Sequence, residues 1–357
     1  MSGRVGEWTS GRGGEWEKGT RTQFAHSPTR PLSHSLLHLW LNKSMQLPFT
    51  LPTNKPFDAV GFGLNAVDHL ILVPEYPAFD TKTRLLEHKL SAGGQTATAM
   101  VALKRLGLKT AYAGRFGSDP EGQFGLSTVK DEGVNIDYVE VVLDSSTQIA
   151  FITIEARSGE RTIVWDRDER LAYKAHEAPR DFGSQGRILH LDAHDPPACV
   201  VVAQDARDAG TIVSADIDNI YEGLPQLLPL VDILVGSKDF PRRLTGIAEP
   251  EKALVELQNR YGFRLVGMTL GDRGALVYCD GQFIEASAYP APGGCKDTTG
   301  AGDAFHAGFL YGLLQGEDIE TSLRLGNAVA AMKCSALGAR PGLPTKPQLE
   351  EFLQSVE

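Results

Sequence analysis

The stretch DTTGAGDAFHAG, Asp297 to Gly308, joins a loop of small residues to a carboxylate and an apolar helix. Gly300, Ala301 and Gly302 carry little or no side chain, so their amides can converge on one anion. The helix DAFHAGFLYGLL follows directly and would point its positive N-terminal end at the same place. Asp303 in the first turn could simply cap this helix. Capping does not account for the three small residues that precede it.

A phosphoryl-transfer site accounts for both the loop and the carboxylate. The loop would stabilise the charge that develops on the transferred group, and Asp303 would accept the proton of the attacking hydroxyl. His306 lies one turn further along the helix. On such an apolar helix we interpret it as a packed histidine and not as a catalytic partner.

The motif GFGLNA, Gly61 to Ala66, matches the dinucleotide-binding fingerprint, which requires a helix to begin at that point. The residues that follow, VDHLILVPEYP, are β-branched and then interrupted by proline, so a strand is expected instead. We expect the chain to turn tightly at Gly63 and to present Asp68 near the end of a strand, where open α/β sheets bind ligands. A solvated turn aspartate is the alternative.

The segment SAGGQTATA, Ser91 to Ala99, places Gly93 and Gly94 directly before a helix. Such a junction allows backbone amides to approach a polar ligand. Gln95 and Thr98 would lie in the first turn, within reach of the same ligand. Ordinary turn chemistry is the alternative for an isolated Gly-Gly pair.

The elements that must position these residues alternate regularly from residue 57 onward. Strands are predicted at FDAVGFG, TAYAGRFG, ILHLDA, TIVSADID, DILVGS and LVGMTLG, with helical segments between them. This alternation predicts a mostly parallel sheet that is covered by helices on both faces. Two strand-rich regions, near 68–90 and 147–166, do not follow this strand–helix alternation and predict a small second sheet.

Composition excludes several classes of protein. The 357 residues are 42% hydrophobic and 22% charged, which is typical of a globular protein. The net charge of -10 argues against a general nucleic-acid-binding protein, which needs a basic face. No apolar run approaches the ~18 residues of a membrane span. Four cysteines without a CxxC pair predict reduced thiols and a cytoplasmic location.

The N-terminal 44 residues are rich in Gly, Arg and Glu and have no periodic pattern. We expect a disordered extension over residues 1–55 and a single folded domain over 56–350. Translation from Met45 is one hypothesis, and N-terminal mass spectrometry of the native protein would test it. A transit peptide is disfavoured by Glu7, Glu15 and Glu17.

Two segments resemble known signatures in the correct order. DTTGAGDAFHAGF resembles the C-terminal signature of the ribokinase-like (PfkB) carbohydrate kinases, and GGQTATAMVALKRLGLKTAYAGRFGSDPEGQFG resembles their N-terminal one. The resemblance covers Phe57 to Pro344. It implies a three-layer αβα fold with a mostly parallel central sheet and a small β-sheet lid, which often serves as a dimer interface. It also implies an ATP-dependent kinase, with Mg²⁺, that acts on a sugar or related alcohol.

The resemblance assigns roles to individual residues. Asp303 takes the position of the catalytic base, and Gly300, Ala301 and Gly302 take that of the anion hole. The substrate positions are Asp68, Gly93, Gly94, Gln95, Thr98 and Asp192, and the ATP positions are Thr269, Gly271, Gly274 and Asn327. Asp297 and Thr299 match positions that face a monovalent cation, K⁺, in some members.

Three departures bear on the substrate. Ribokinases carry Lys and Asn where this chain has Gln95 and Thr98, and the family's Asn-x-x-Glu motif for magnesium and phosphate is replaced by Ser237 to Phe240. The Ser-Lys-Asp segment there and the hairpin GERTIVWD resemble the ketohexokinase-like branch, which favours a ketose.

Several functions remain open within this reading of the sequence. They are a nucleoside, sugar-acid or phosphosugar kinase and a non-catalytic sensor of sugar or nucleotide. A phosphosugar would need further cations, which Arg161 and Arg167 could supply. The expected partners are the sugar, ATP and a second copy bound through the lid, with no nucleic acid and no membrane.

Overall fold

The computed structural model describes residues 47–356 and contains two sheets and helices on both faces of the larger one. The strands are β1 (Phe57–Phe62), β2 (Ala66–Val73), β3 (Glu87–Gly93), β4 (Thr110–Gly117), β5 (Asn135–Val142), β6 (Ile149–Glu155), β7 (Arg161–Asp166), β8 (Gly186–Leu191), β9 (Ile212–Ile217), β10 (Ile233–Gly236), β11 (Leu265–Thr269), β12 (Ala275–Cys279) and β13 (Gln282–Ala286). The helices are α1 (Gln95–Arg105), α2 (Pro120–Asp131), α3 (Pro196–Asp208), α4 (Leu224–Leu227), α5 (Phe240–Thr245), α6 (Pro250–Tyr261), α7 (Ala301–Gln315), α8 (Ile319–Lys333) and α9 (Lys346–Val356).

The large sheet has nine strands in the order β13-β12-β11-β10-β9-β8-β1-β4-β5. All pairs from β11 to β5 are parallel, and β12 and β13 add an antiparallel edge. Successive strand residues enter opposite cores. Ile233 belongs to the core that includes residues of α1, α7 and α8, whereas Leu234 belongs to the core that includes residues of α3, α4 and α6. The predicted three-layer αβα fold is therefore confirmed. Strand β5, the β12–β13 hairpin and helix α9 were not predicted from the sequence.

The smaller sheet has the order β3-β2-β6-β7. It contains the two strand-rich regions, near 68–90 and 147–166, that do not follow the strand–helix alternation. One face carries Leu70, Ala150, Ile152 and Ile154, which pack with Leu337 of the large domain. Because β2 is a strand that starts at Ala66, the GFGLNA motif is followed by no helix. The dinucleotide-binding interpretation of that motif is thereby excluded, as the sequence analysis expected.

The start of the chain can be followed only in part. Residues 1–46 of the predicted extension lie outside the described residues. Residues 47–55 form no helix or strand, and Phe49 is buried against the core beside Leu47 and Leu51. This short segment therefore packs on the domain.

Helices α1 and α7 begin without a side-chain cap, unlike helices α2 and α8. Helices α2 and α8 begin after Asp119 and Asp318, whose side chains accept amide hydrogens of the first turn. Helices α1 and α7 begin after Gly94 and Gly300 and have no side-chain cap. In α7, the amides of Gly302 and Asp303 therefore stay available to a ligand.

Two further findings concern the whole described region. None of the helices within residues 47–356 is long and apolar enough to cross a membrane. The cysteines are free thiols, with Cys295 exposed and the other three buried.

Candidate active site

The N-terminus of α7 presents unused hydrogen-bond donors. Gly300 adopts a φ of 76°, and a β-carbon there would lie 2.7 Å from that of Ala339, so only glycine fits. The amide of Ala301 donates to the Thr298 carbonyl at 3.1 Å. Within the described chain, the amides of Gly302 and Asp303 have no acceptor. No atom lies within 4 Å of where a Gly302 β-carbon would be, so this end of the helix opens onto free space.

Asp303 lies in the first turn of α7 and is 9% exposed. Burial raises the pKa of its carboxyl group well above the usual value, and the nearby charges of Asp216 and Asp68 raise it further. Arg161 opposes these effects. A carboxylate with a raised pKa is a stronger base than an exposed one, which suits it to accept a proton from a hydroxyl group.

Asp68, whose charge raises the pKa of Asp303, lies in the small sheet and pairs in register with Ser91 and Ala150. Burial raises the pKa of Asp68 to about 7, although the Arg340 charge opposes this. A β-carbon on Gly93 would lie 2.2 Å from the Asp68 carboxylate. Gly94 has a φ of 89°, and a β-carbon there would lie 2.3 Å from the backbone of Asn65. The Gly-Gly pair therefore lets the helix start pack directly on Asp68 and its strand.

Two predicted substrate residues do not face the cleft. Thr98 is fully buried, and its hydroxyl accepts a hydrogen bond from Arg340 Nε at 3.4 Å. Asp192 is also fully buried, and its carboxylate accepts hydrogen bonds from the amide of Leu64, the hydroxyl of Thr96 and the amide of His194. The Asp192 contacts hold the β1–β2 turn and α1 together. A role of Thr98 and Asp192 in binding a sugar stays a prediction.

A buried pair beside Asp303 was missed from the sequence. His306 Nε2 lies 3.2 Å from Asp216 Oδ1, and Gln95 Nε2 donates to Asp216 Oδ2 at 3.4 Å. Burial would raise the pKa of Asp216, but the charge and hydrogen bond of His306, together with His190 and Gln95, outweigh burial and lower the pKa. His306 is buried, as expected of a packed histidine, yet it also holds this carboxylate. Asp216, near the end of the predicted strand TIVSADID, was the available signal.

A group of aromatic side chains extends from the face of the small sheet that carries Asp68. Trp165 lies on the same face of the small sheet as Asp68, through the register Asp68–Ala150–Trp165. Its ring meets the edge of His194 with centroids 6.0 Å apart, and Nδ1 of His194 lies 3.0 Å from the Tyr221 hydroxyl. None of the three was assigned from the sequence, since nothing local marks them.

The two arginines that could bind the phosphate of a phosphosugar, Arg161 and Arg167, make different contacts. Arg161 Nη1 donates to the Thr298 hydroxyl at 2.6 Å and so ties the lid to the loop before α7. Arg167 makes a two-pronged ion pair with Asp195, with both distances 2.8 Å. Arg167 is therefore committed to a structural contact.

The residues predicted to bind ATP lie where strands β11 and β13 end. Thr269 ends β11, and the exposed Gly271 follows it in a turn with a φ of 67°. A β-carbon on Gly274 would lie 2.0 Å from the Ala286 carbonyl. Asn327 donates to that same carbonyl at 2.9 Å and to that of Ser287 at 3.1 Å. Gly274 and Asn327 thus shape the exit of β13, and their side of the sheet leads into the loop before α7.

The predicted K⁺ site is not built to receive a metal ion. The Asp297 carboxylate already accepts hydrogen bonds from the amides of Thr299, at 2.8 Å, and Gly338, at 2.7 Å. The Asp297 carbonyl accepts one from Lys333 Nζ at 2.7 Å. The Thr299 hydroxyl has no partner among the described residues, but one hydroxyl cannot replace the carbonyls that Lys333 occupies. These residues therefore do not fit K⁺.

The segment that replaces the Asn-x-x-Glu motif offers little to a magnesium ion. Asp239, its one carboxylate, is exposed and pairs with Arg242 at 3.3 Å. Within residues 47–356 no group of three or more His, Cys, Asp or Glu side chains could hold a metal.

Comparison with known proteins identifies the family. The model of the pfkB family carbohydrate kinases matches residues 60–346. The chain belongs to the PfkB family. Members of the family are phosphotransferases with a sugar or nucleoside hydroxyl as acceptor, so this PfkB-family chain is a carbohydrate or nucleoside kinase.

Individual relatives support the same assignment. The chain is 28% identical to the nucleoside kinase of Methanothermobacter thermautotrophicus, over 80% of this chain and 92% of the relative. It is also 28% identical to the ribokinase of Haemophilus influenzae, over 80% and 95% of the two chains. Its fold matches the Arabidopsis thaliana ribokinase structure complexed with ribose and ATP, with a TM-score of 0.73 and 24% identity over 84% of this chain and 99% of that one.

Proposed function

We propose that this PfkB-family protein transfers the γ-phosphate of ATP to a hydroxyl of a sugar, with a ketose as the favoured acceptor. The observation that carries the proposal is the juxtaposition at the start of α7. There the buried carboxylate of Asp303, with its raised pKa, adjoins the free amides of Gly302 and Asp303 and an open space.

The transfer is proposed to use these groups in one step. Asp303 takes the proton of the acceptor hydroxyl, whose oxygen forms a new bond to the γ-phosphorus while the bond from that phosphorus to the β-phosphate oxygen breaks. ADP leaves with that electron pair. The free amides at the start of α7 stabilise the negative charge on the moving phosphoryl group.

ATP is proposed to lie along the Gly271 turn and the start of α7, on the side shaped by Thr269, Gly274 and Asn327. Mg²⁺ would accompany ATP and neutralise its phosphates, bound mainly through phosphate oxygens and water. We assign no side chain to it, since the carboxylate of the Ser237 to Phe240 segment is already paired.

The acceptor is proposed to bind between Asp68, Gln95 and the aromatic group Trp165, His194 and Tyr221. Asp68 would accept a sugar hydroxyl, and the aromatic rings would pack against the C–H face of the sugar. A ketose is favoured by the ketohexokinase-like Ser237-Lys238-Asp239 segment and the GERTIVWD hairpin. A nucleoside is the second candidate, because the same rings could stack on a base and a nucleoside kinase is among the relatives.

A homodimer through the lid is also proposed. The face of the small sheet opposite Asp68 carries a cross-strand row of Leu90, His69, Phe151 and Val164, in register on its four strands. Phe151 is 45% exposed and Val164 is 67% exposed. An apolar row of this kind on a sheet surface is typical of a protein interface. Light scattering of the wild type and of a Phe151→Ser, Val164→Ser variant would test it.

A coupled assay of ADP release over ketoses, aldoses, sugar acids, phosphosugars and nucleosides tests the proposed function. Turnover highest with a ketose is expected. Turnover with nucleosides alone would establish the second candidate. Tight binding of a sugar without any turnover would indicate a sensor and reject the kinase proposal.

A further inference from the structure

A buried ammonium group lies beneath the loop that forms the proposed anion hole. Lys333, the last residue of α8, is fully buried. Its Nζ atom donates to the Asp297 carbonyl at 2.7 Å and lies 3.5 Å from the Ala336 carbonyl. Burial lowers the pKa of Lys333, and the Asp297 charge opposes that shift. Burying a charged lysine costs free energy unless the ammonium group is paired and hydrogen-bonded. The two carbonyl groups are therefore needed to keep the Lys333 side chain buried.

The lysine interlocks two loops. Asp297 uses one carboxylate oxygen for the Thr299 amide and the other for the Gly338 amide, while its carbonyl accepts Lys333. The amide of Lys296 also donates to the Cys334 carbonyl at 2.8 Å. The loop from Asp297 to Gly300 leads directly into α7. It is therefore held in place by hydrogen bonds that include the one from the Lys333 ammonium group.

The position is the one at which the sequence resemblance implied K⁺. An ammonium group has the charge of K⁺ and likewise binds carbonyl oxygens. We propose that Lys333 is a built-in substitute for that monovalent cation, so that the loop before α7 is held in place without K⁺. This inference rests on the proposed role of that loop as the anion hole, but it does not depend on which acceptor is phosphorylated.

Thermal unfolding of the ligand-free protein provides the first test. The wild type should unfold at the same temperature in KCl and in choline chloride of equal ionic strength, because no K⁺ binds to the folded state. A higher unfolding temperature in KCl would overturn the proposal, and this measurement suffices even if variants fail to fold. ATP affinity, measured by calorimetry in both salts, should likewise be unchanged.

Variants provide the second test. Lys333→Ala removes the ammonium group and leaves room near the two carbonyls, so it should unfold at a higher temperature in KCl than in choline chloride. Lys333→Met fills the space with an uncharged chain and should not respond to K⁺. Lys346→Met, at an exposed lysine of α9, is the matched control and should resemble the wild type. A Lys333→Ala protein with unchanged stability and no response to K⁺ would contradict the proposal.

The salt comparison separates this inference from the proposed function. If no acceptor is phosphorylated but the wild type is indifferent to K⁺ and Lys333→Ala is rescued by it, only the proposed function fails. If a sugar is phosphorylated but K⁺ stabilises the wild type, only the inference fails.

Discussion

The Nε2 atom of His306 lies 3.2 Å from Oδ1 of Asp216, and both side chains are buried beside Asp303. The pair joins the carboxyl end of β9 to the first turns of α7. It places a second carboxylate near the proposed base, and His306 contacts that carboxylate directly.

His306→Phe should destabilise the protein, because the buried Asp216 carboxylate loses the His306 contact and keeps the longer one to Gln95. Losing one member of a buried ion pair costs about 3–5 kcal/mol. Urea denaturation of the variant and wild type at neutral pH measures the difference. His306→Gln, which keeps a donor, should recover part of the loss. Equal stability of His306→Phe and wild type would show that the pair has no structural role.

Asp216→Asn should shift the pH dependence of turnover. The raised pKa of Asp303 means that this base is lost as the pH falls through a value above the ~4 of an exposed aspartate. The acidic limb of kcat/KM in the wild type should therefore lie above that value. The Asp216 charge contributes to the raised pKa, so its removal should move the limb to lower pH. Asp239→Asn, at a surface ion pair, is the control and should leave the limb in place.

Asp303→Asn should abolish most turnover while ATP still binds. Loss of a general base typically costs about 10²–10⁴-fold in rate. The variant should be at least as stable as the wild type, because a buried carboxylate is replaced by a neutral amide. Single-turnover kinetics and calorimetry with ATP measure the two effects. A near-normal rate would remove Asp303 from the role of base.

Gly302→Ala and Gly300→Ala should fail for different reasons. The position of a Gly302 β-carbon is open, so the alanine variant should unfold like the wild type but bind ATP poorly, because the methyl group enters the space proposed for the phosphates. Gly300→Ala meets Ala339 and requires a positive φ, so it should lose stability. Thermal unfolding and ATP calorimetry of both variants distinguish the two effects. Normal ATP affinity in Gly302→Ala would argue against the anion hole.

Asp68→Asn should stabilise the protein above neutral pH and weaken acceptor binding. The pKa of Asp68 is about 7 in the folded state and 3.8 ordinarily. Between pH 3.8 and 7, therefore, Asp68 is protonated in the folded state but ionised in the unfolded state. Stability should accordingly fall as the pH rises through that window, by at most about 4 kcal/mol for this group. The asparagine variant should lack this loss and gain over the wild type at pH 8, with little difference below pH 4. Urea denaturation across this range measures the change, and a raised KM for the acceptor is expected beside it.

The sequence alone determined the layered fold and the proposed reacting segment. Strand and helix periods are local, so the alternation after residue 57 predicted the parallel sheet, and the two strand-rich regions that do not follow it predicted the lid. The loop Gly300 to Gly302, with Asp303 directly after it, is likewise contiguous, and its small residues point to an anion without any tertiary information. The same holds for Gly93 and Gly94, whose close approach to Asp68 and Asn65 the structure explains.

Only the tertiary structure decided which polar groups are already satisfied. Arg340 donates to the Gly93 carbonyl across 247 residues of sequence, and Lys333 reaches Asp297 across 36. Such pairs depend on the order of strands and on how loops cross at the sheet edge, which no local pattern encodes. For this reason the internal hydrogen bonds of Asp192 and Thr98 could not be predicted from the sequence. The K⁺ position was assigned from Asp297 and Thr299 because the lysine that occupies it lies on another helix.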